Sequence, residues 1–159
     1  MDKKKANELP PLIETLAPAP ASPTLELDEL WSFVQKSENK QWVWIAQCRD
    51  TRQVVAYYYV GDRSQESCRQ LWERIPGEYR QGQCYSDFWA AYRAVLPDQQ
   101  HRACGKESGQ TAHVERWNNT LRQRIGRFVR KTLSFSKCVK MHEYALLLFL
   151  HRYNLQFLS

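Results

Sequence analysis

An alternating segment near the N-terminus constrains the fold of this chain more than any other feature. In residues 25–34, large apolar side chains at 25, 27, 31 and 33 alternate with a second face, although Glu29 interrupts the apolar side. Alternation with a period of two predicts a β-strand that turns one face to a core. Asp28 lies midway along this strand, where aspartate is uncommon. Asp28 either points into solvent from an edge strand or is buried, and a buried carboxylate requires a partner or a metal ion.

The remainder of the chain predicts an α/β fold. Tight turns join the first strand to strands at Gln41–Arg49 and Gln53–Val60, which predicts a three-strand antiparallel meander. Helical and extended patterns then alternate: a helix at Gln65–Ile75, a strand at Gln83–Ser86, a helix at Phe88–Leu96, a short strand near 100–104, a long helix from Thr111 and a last helix at Lys137–Tyr153. This order predicts a mixed sheet with helices on both faces.

Residues 1–23 differ from the rest of the chain in composition. They contain five of the seven prolines and a run of lysines at positions 3–5. Such composition is typical of linkers. We therefore expect a flexible leader over residues 1–23, followed by one domain over residues 24–159.

Composition and hydropathy argue against several classes of protein. Apolar residues make up 43% of the chain and charged residues 25%, as in globular proteins. No apolar run approaches the ~18–20 residues of a membrane-spanning helix, and no secretory signal is visible. The five cysteines are widely spread and form no Cys-x-x-Cys pair. They fit the reduced thiols of a cytoplasmic protein better than a disulfide framework or a zinc site.

Positive charge is concentrated in the C-terminal part of the chain. Residues 101–159 contain 11 Lys and Arg against 3 Asp and Glu, whereas residues 1–100 contain 12 against 14. Eight basic residues and no acidic one lie between Arg116 and Lys140. Such a block predicts a polyanionic partner, and nucleic acid is the first candidate. The alternative is a basic helix face that is merely solvated.

Three acidic residues occupy informative positions in the predicted order of elements. Asp28 is in the middle of the first strand, Asp87 directly follows the fourth, and Glu115 is in the first turn of the long helix. The first and fourth strands are neighbours in this kind of topology, and sites gather at strand ends where the order switches. Converging carboxylates repel one another unless cations are present, which predicts Mg²⁺ or Mn²⁺, and a pair of ions suits phosphodiester chemistry. The alternative is that Asp87 caps a helix and Glu115 is a favourable first-turn acid.

Three runs of sequence surround these acids and carry a family resemblance. They are Leu-Asp-Glu-Leu-Trp-Ser-Phe-Val at 27–34, Tyr-Ser-Asp-Phe-Trp-Ala-Ala-Tyr at 85–92 and His-Val-Glu-Arg-Trp-Asn-Asn-Thr-Leu-Arg-Gln-Arg at 113–124. Together with Arg-Lys-Thr-Leu-Ser-Phe-Ser-Lys at 130–137 and Asn154, they resemble the transposases of the bacterial insertion sequence 1 family. The resemblance implies a ribonuclease H-like domain in which Asp28, Asp87 and Glu115 are the metal-binding catalytic residues.

The resemblance also implies an activity and partners. The activity is metal-dependent cleavage of DNA strands and transfer of the 3′-ends to a target, by a homo-oligomer on DNA in the bacterial cytoplasm, associated with the nucleoid. Family members carry an upstream zinc-binding module and a helix-turn-helix, which residues 1–23 cannot hold. The chain is therefore expected to be a second reading-frame product that frameshifting joins to that region.

The long helix carries the candidate DNA contacts, which are Arg116, Asn119, Arg122, Arg124, Arg127, Arg130 and Lys131. They predict salt-sensitive binding to phosphates that depends little on sequence, although helical spacing prevents all of them from facing one DNA. His113 lies two residues before Glu115 and points the other way, which favours a structural or DNA-facing histidine.

Two alternative functions stay open. One is a nuclease of the same fold that only hydrolyses DNA, and the other is a non-catalytic DNA-binding or assembly module.

Overall fold

The structure is a computed structural model that describes residues 10–33, 40–60, 62–87, 90–131 and 139–158. Within these ranges, the side chains at 32, 33, 40, 60, 125–131 and 139–142 are not described. The strands are β1 (Thr24–Phe33), β2 (Lys40–Cys48), β3 (Val54–Val60), β4 (Gln83–Ser86) and β5 (His101–Ala103). The helices are α1 (Gln65–Arg74), α2 (Ala90–Val95), α3 (Ala112–Lys131) and α4 (Val139–Leu155).

The strands form one mixed sheet in the order β3-β2-β1-β4-β5. β1 pairs antiparallel with β2, and β2 with β3, which confirms the predicted meander. β1 and β4 pair in parallel, as do β4 and β5. β1 is therefore a central strand with a neighbour on each side, and the alternative of an edge strand with Asp28 in solvent is wrong.

Helices cover both faces of the sheet, as predicted. On one face, Leu25 and Leu27 of β1 belong to a buried cluster with residues of α1 and α2, among them Leu71 and Tyr92. On the other face, Leu30 of β1 belongs to a second cluster that includes Val114, Trp117 and Leu121 of α3 and Leu146 and Leu150 of α4. Because β1 has a core on each side, helices also cover the face of the strand that carries its polar residues. Acidic groups on that face are therefore enclosed by the fold.

Among the described residues, every helix is too short or too polar to cross a membrane.

The predicted apolar face of β1 changes character toward the end of the strand. Leu25 and Leu27 are fully buried as expected, but Trp31 is 38% exposed. Trp31 instead lines a cleft together with Asp28. The side chain at 33 and residue 34 lie outside the described residues.

Residues 10–23, the described part of the expected leader, pack against the body of the protein. Thr15 is buried, its carbonyl accepts a hydrogen bond from Gln53 Nε2 at 2.8 Å, and its hydroxyl accepts one from Asn154 Nδ2 at 3.0 Å. The Tyr79 hydroxyl donates to the carbonyl of Ala17 at 2.6 Å. These contacts anchor this stretch of chain beside the sheet, and the division into residues 1–23 and 24–159 stays a prediction.

Candidate active site

The pairing of β1 with β4 brings Asp28 and Asp87 together. Thr24 is aligned with Gln83, and the same register continues through Glu26 and Tyr85. Asp28 follows Glu26 by two residues and Asp87 follows Tyr85 by two, so the two acids extend from neighbouring parallel strands at the same level. One carboxylate oxygen each of Asp28, Glu29 and Asp87 lie within 4.8 Å of one another.

The carboxylate of Asp28 has a fixed orientation. Its Oδ2 accepts a hydrogen bond from Nδ2 of Asn118 at 2.7 Å, and its Oδ1 accepts one from the backbone N–H of Glu29 at 2.9 Å. Asn118 lies on α3 and is 4% exposed. Its own Oδ1 is buried without a hydrogen-bond partner among the described residues. The helix that carries Glu115 therefore also contacts Asp28 directly.

Glu115 lies in the first turn of α3 and lines the same cleft as Asp28 and Asp87, a cavity of about 390 Å³. Its Oε1 accepts a hydrogen bond from the hydroxyl of Thr111 at 2.9 Å, which fixes the side chain at the helix start. Glu115 is not among the acids whose oxygens lie within 4.8 Å of one another. The structure thus brings all three predicted acids to one cleft, in which Asp28 and Asp87 lie close together.

Sequence reasoning missed Glu29 as a member of this acidic group. Glu29 is only 9% exposed, accepts a hydrogen bond from Arg63 Nε at 2.8 Å, and accepts another from the hydroxyl of Tyr92. The available signal was its position, an acid that interrupts the apolar face of β1. Its partners come from the segment just before α1 and from α2, and no local pattern indicates that they meet Glu29.

The pKa of Asp28 reflects this crowding of acids. Burial is the largest of the causes that raise the pKa of Asp28 to about 7, and the charge of Glu29 adds to it. Asp87 and Glu115 act in the same direction. Burial also raises the pKa of Glu29, with help from the charge of Asp87, while Tyr92 and Arg63 oppose the shift. The cleft concentrates negative charge where water solvates it poorly, and a bound cation would relieve that repulsion.

The candidate DNA contacts divide between two sides of α3. Asn119 and Arg122 line the acidic cleft, together with Lys106 and Arg63. Arg116 lines a separate hollow of about 250 Å³ that also contains Arg52. The side chain of Arg124 is exposed, and those of Arg127, Arg130 and Lys131 lie outside the described residues. Arg116 therefore lies in a different hollow from Asn119 and Arg122, and the assignment of these residues to DNA stays a prediction.

The comparisons with known proteins identify the family. The family model described as IS1 transposase matches residues 23–156. Insertion element iso-IS1n protein InsB of Shigella dysenteriae is 41% identical over 118 residues, which cover 74% of this chain and 86% of that protein. Insertion element IS1 protein InsB of Shigella flexneri is 31% identical over the same shares of the two chains.

Two solved structures that resemble this chain are a retroviral integrase core domain and a retroviral intasome. The catalytic core domain of HTLV-2 integrase, solved in complex with magnesium in a trimeric form, has a TM-score of 0.56 at 11% identity and covers 80% of this chain and 84% of that one. A chain of the simian T-cell lymphotropic virus intasome, solved in complex with PP2A regulatory subunit B56 gamma, has a TM-score of 0.62 at 10% identity. This chain spans about half of it, 48%. At such identities the likeness shows the fold alone, and it confirms the ribonuclease H-like class. The chain therefore belongs to the IS1 transposase family, as a transposase catalytic domain of the Asp-Asp-Glu type.

Proposed function

We propose that this domain cuts DNA strands at the ends of an insertion element and joins the exposed 3′-ends to a target, with Asp28, Asp87 and Glu115 as its catalytic acids. One observation carries the proposal. Acids from β1, from the end of β4 and from the first turn of α3 line a single cleft, in a chain that belongs to a family of transposases.

The donor set of the cleft suits Mg²⁺ or Mn²⁺. The converging groups are carboxylates, which hard divalent cations prefer. The buried Oδ1 of Asn118, which has no hydrogen-bond partner among the described residues, adds another oxygen nearby. Asp28, Asp87 and Glu115 would hold two such ions. Bound there, they supply activation of a water or 3′-hydroxyl and stabilisation of the leaving oxygen. Glu29 already engages Arg63 and Tyr92. We therefore assign to Glu29 the role of raising the pKa of Asp28, and we do not count it among the metal ligands.

Several side chains of the cleft have distinct roles in the proposed reaction. Asn118 holds Asp28 in one orientation, and Thr111 does the same for Glu115. Asp28 is deprotonated when it binds a cation, so its raised pKa makes metal affinity fall as the pH drops below about 7. Arg122 and Asn119, at the wall of the cleft, contact the phosphates next to the reacting one.

The rest of the basic helix supplies general affinity for DNA. Arg116 binds a phosphate on the other side of α3, beside Arg52, while Arg124, Arg127, Arg130 and Lys131 extend the contact along the duplex. We propose that the active species is a homo-oligomer, because transposition requires two element ends to be held together. An upstream zinc-binding and helix-turn-helix region, joined by frameshifting, would recognise those ends.

The test is an assay that measures cleavage and joining separately. A labelled duplex with the terminal sequence of the element is incubated with the frameshift fusion, a target plasmid and Mg²⁺. We expect 3′-end cleavage and joined products from the wild type, and neither from Asp28→Asn, Asp87→Asn or Glu115→Gln. The control variant is Glu66→Gln, because Glu66 is an exposed acid in the first turn of α1. Cleavage without joining would indicate a hydrolytic nuclease, and DNA binding without either reaction would indicate a non-catalytic module.

A further inference from the structure

Glu26 is an acid of β1 that is completely buried, with 0% exposure. It lies two residues before Asp28 and does not line the acidic cleft. Its Oε1 accepts hydrogen bonds from the backbone N–H groups of His113 at 2.9 Å and Val114 at 3.2 Å. Its Oε2 lies 2.7 Å from Nδ1 of the His113 ring. Glu26 therefore occupies the N-terminus of α3, where unpaired N–H groups and the helix dipole favour an anion.

Arg49 forms a salt bridge with the buried carboxylate of Glu26. Its Nε donates to Glu26 Oε2 at 3.1 Å, and its Nη2 donates to the carbonyl of Gln110 at 2.6 Å. Its guanidinium lies 4.8 Å from the centre of the Tyr85 ring. A planar fork with several donors can make these contacts at the same time, whereas the compact ammonium of lysine cannot.

The pair joins the three elements that carry the proposed catalytic acids. Glu26 precedes Asp28 by two residues in β1, and Tyr85 precedes Asp87 by two residues at the end of β4. Gln110 and His113 belong to the segment that leads into the turn of Glu115. One salt bridge, whose carboxylate is fully buried, thus connects the supports of all three acids from outside the cleft.

We infer that Glu26 and Arg49 are positioning residues that hold Glu115 in register with Asp28 and Asp87. The inference rests on the proposed function, because it assigns these three acids to one reaction. Without the pair, the first turn of α3 is free to shift relative to β1, and Glu115 moves with it. A shift of about 1 Å at a reacting centre reduces a rate by ~10²-fold.

Breaking a salt bridge that is purely structural also lowers the stability of the protein, so the test has to measure more than folding. The variants are Arg49→Lys, which keeps the charge but loses the fork, and Glu26→Gln, which keeps an oxygen for the helix N-terminus but loses the charge. The control variant is Asn154→Ala. Asn154 is fully buried, and its side chain bonds to Thr15 and to the backbone of Val54, away from the cleft.

The experiment measures the melting temperature, the Mn²⁺ concentration that gives half-maximal cleavage, and kcat and KM for the end duplex. We expect Arg49→Lys and Glu26→Gln to lower kcat by 10- to 100-fold and to raise the Mn²⁺ midpoint several-fold, with an unchanged KM for DNA. Asn154→Ala should lower the melting temperature and leave the Mn²⁺ midpoint unchanged. Arg49 is partly exposed, with 27% of its side chain accessible, so Arg49→Lys keeps the test valid if Glu26→Gln fails to fold.

Two failures have different meanings. If Arg49→Lys melts earlier but keeps the wild-type Mn²⁺ midpoint and kcat, the salt bridge is only structural and the inference is overturned. If the wild-type protein itself neither cleaves DNA nor responds to Mn²⁺, the proposed function fails, and the inference fails with it.

Discussion

Replacing Asp28 by asparagine is expected to stabilise the metal-free protein at pH 8. The pKa of Asp28 is raised from 3.8 to about 7, and burial is the main cause. At about 1.4 kcal/mol for each pH unit, the ionised carboxylate costs the folded state about 4 kcal/mol above pH 7. Asparagine removes this charge but keeps an oxygen that can accept the hydrogen bond from Asn118.

The sign of the pH dependence follows from the order in which the two states lose the proton. The unfolded chain releases the Asp28 proton near pH 4, whereas the folded protein keeps it until about pH 7. Between these values the folded state binds more protons, so its free energy of unfolding falls as the pH rises. Below pH 4 the contribution vanishes, and above pH 7 the full cost applies.

The assay is urea denaturation in EDTA at pH 5 and pH 8, with the wild type, Asp28→Asn and Glu66→Gln. The wild type should lose more stability than Asp28→Asn between the two pH values, by as much as about 3 kcal/mol, and the variant should be the more stable protein at pH 8. Glu66→Gln, at an exposed position, should follow the wild type. Identical pH dependence in the wild type and Asp28→Asn would refute the argument that burial and neighbouring acids raise this pKa.

Further predictions concern the walls of the cleft and the core beneath it. Asn118→Ala removes the 2.7 Å hydrogen bond to Asp28 and should weaken Mn²⁺ binding about 10-fold, in line with the loss of other groups that orient metal ligands; a titration followed by thermal unfolding measures this. Arg122→Ala and Arg116→Ala should each reduce the salt slope of DNA binding by about 1, but only Arg122, in the cleft, should also slow cleavage of bound DNA. Trp117→Ala, at a position 2% exposed between the sheet and α4, should cost about 3–5 kcal/mol in urea denaturation.

The sequence was sufficient for the main elements, for the meander of β1 to β3 and for the place of β1 beside β4. β1 could be predicted because local alternation identifies strands, and the place of β1 beside β4 follows from the topology of a meander followed by alternating helices and strands. Val114, Trp117 and Leu121 recur every three or four residues, which is the spacing of an amphipathic helix, and all three lie on the buried face of α3. Local periodicity and chain order are properties that a single sequence displays directly.

Long-range partners could not be predicted in the same way. Glu29 and Glu26 lie on opposite faces of β1, and each is buried by residues that are far away in the sequence: Arg63 and Tyr92 for Glu29, and Arg49 with the start of α3 for Glu26. No local pattern relates these groups. The order of the elements predicted that Asp28, Asp87 and Glu115 converge, and the family resemblance supplied their identity as the catalytic trio. The folded chain shows that all three line one cleft.

The most direct test of the central claim is thermal unfolding with and without millimolar Mn²⁺, for the wild type, Asp28→Asn, Asp87→Asn and Glu115→Gln. A cation at ~100 times its dissociation constant adds about 2.7 kcal/mol of stability, which shifts the melting temperature measurably. We predict that Mn²⁺ stabilises the wild type and that each substitution abolishes or sharply reduces the shift. A shift that persists unchanged in all three variants would contradict the account, because the cation would then bind elsewhere on the protein.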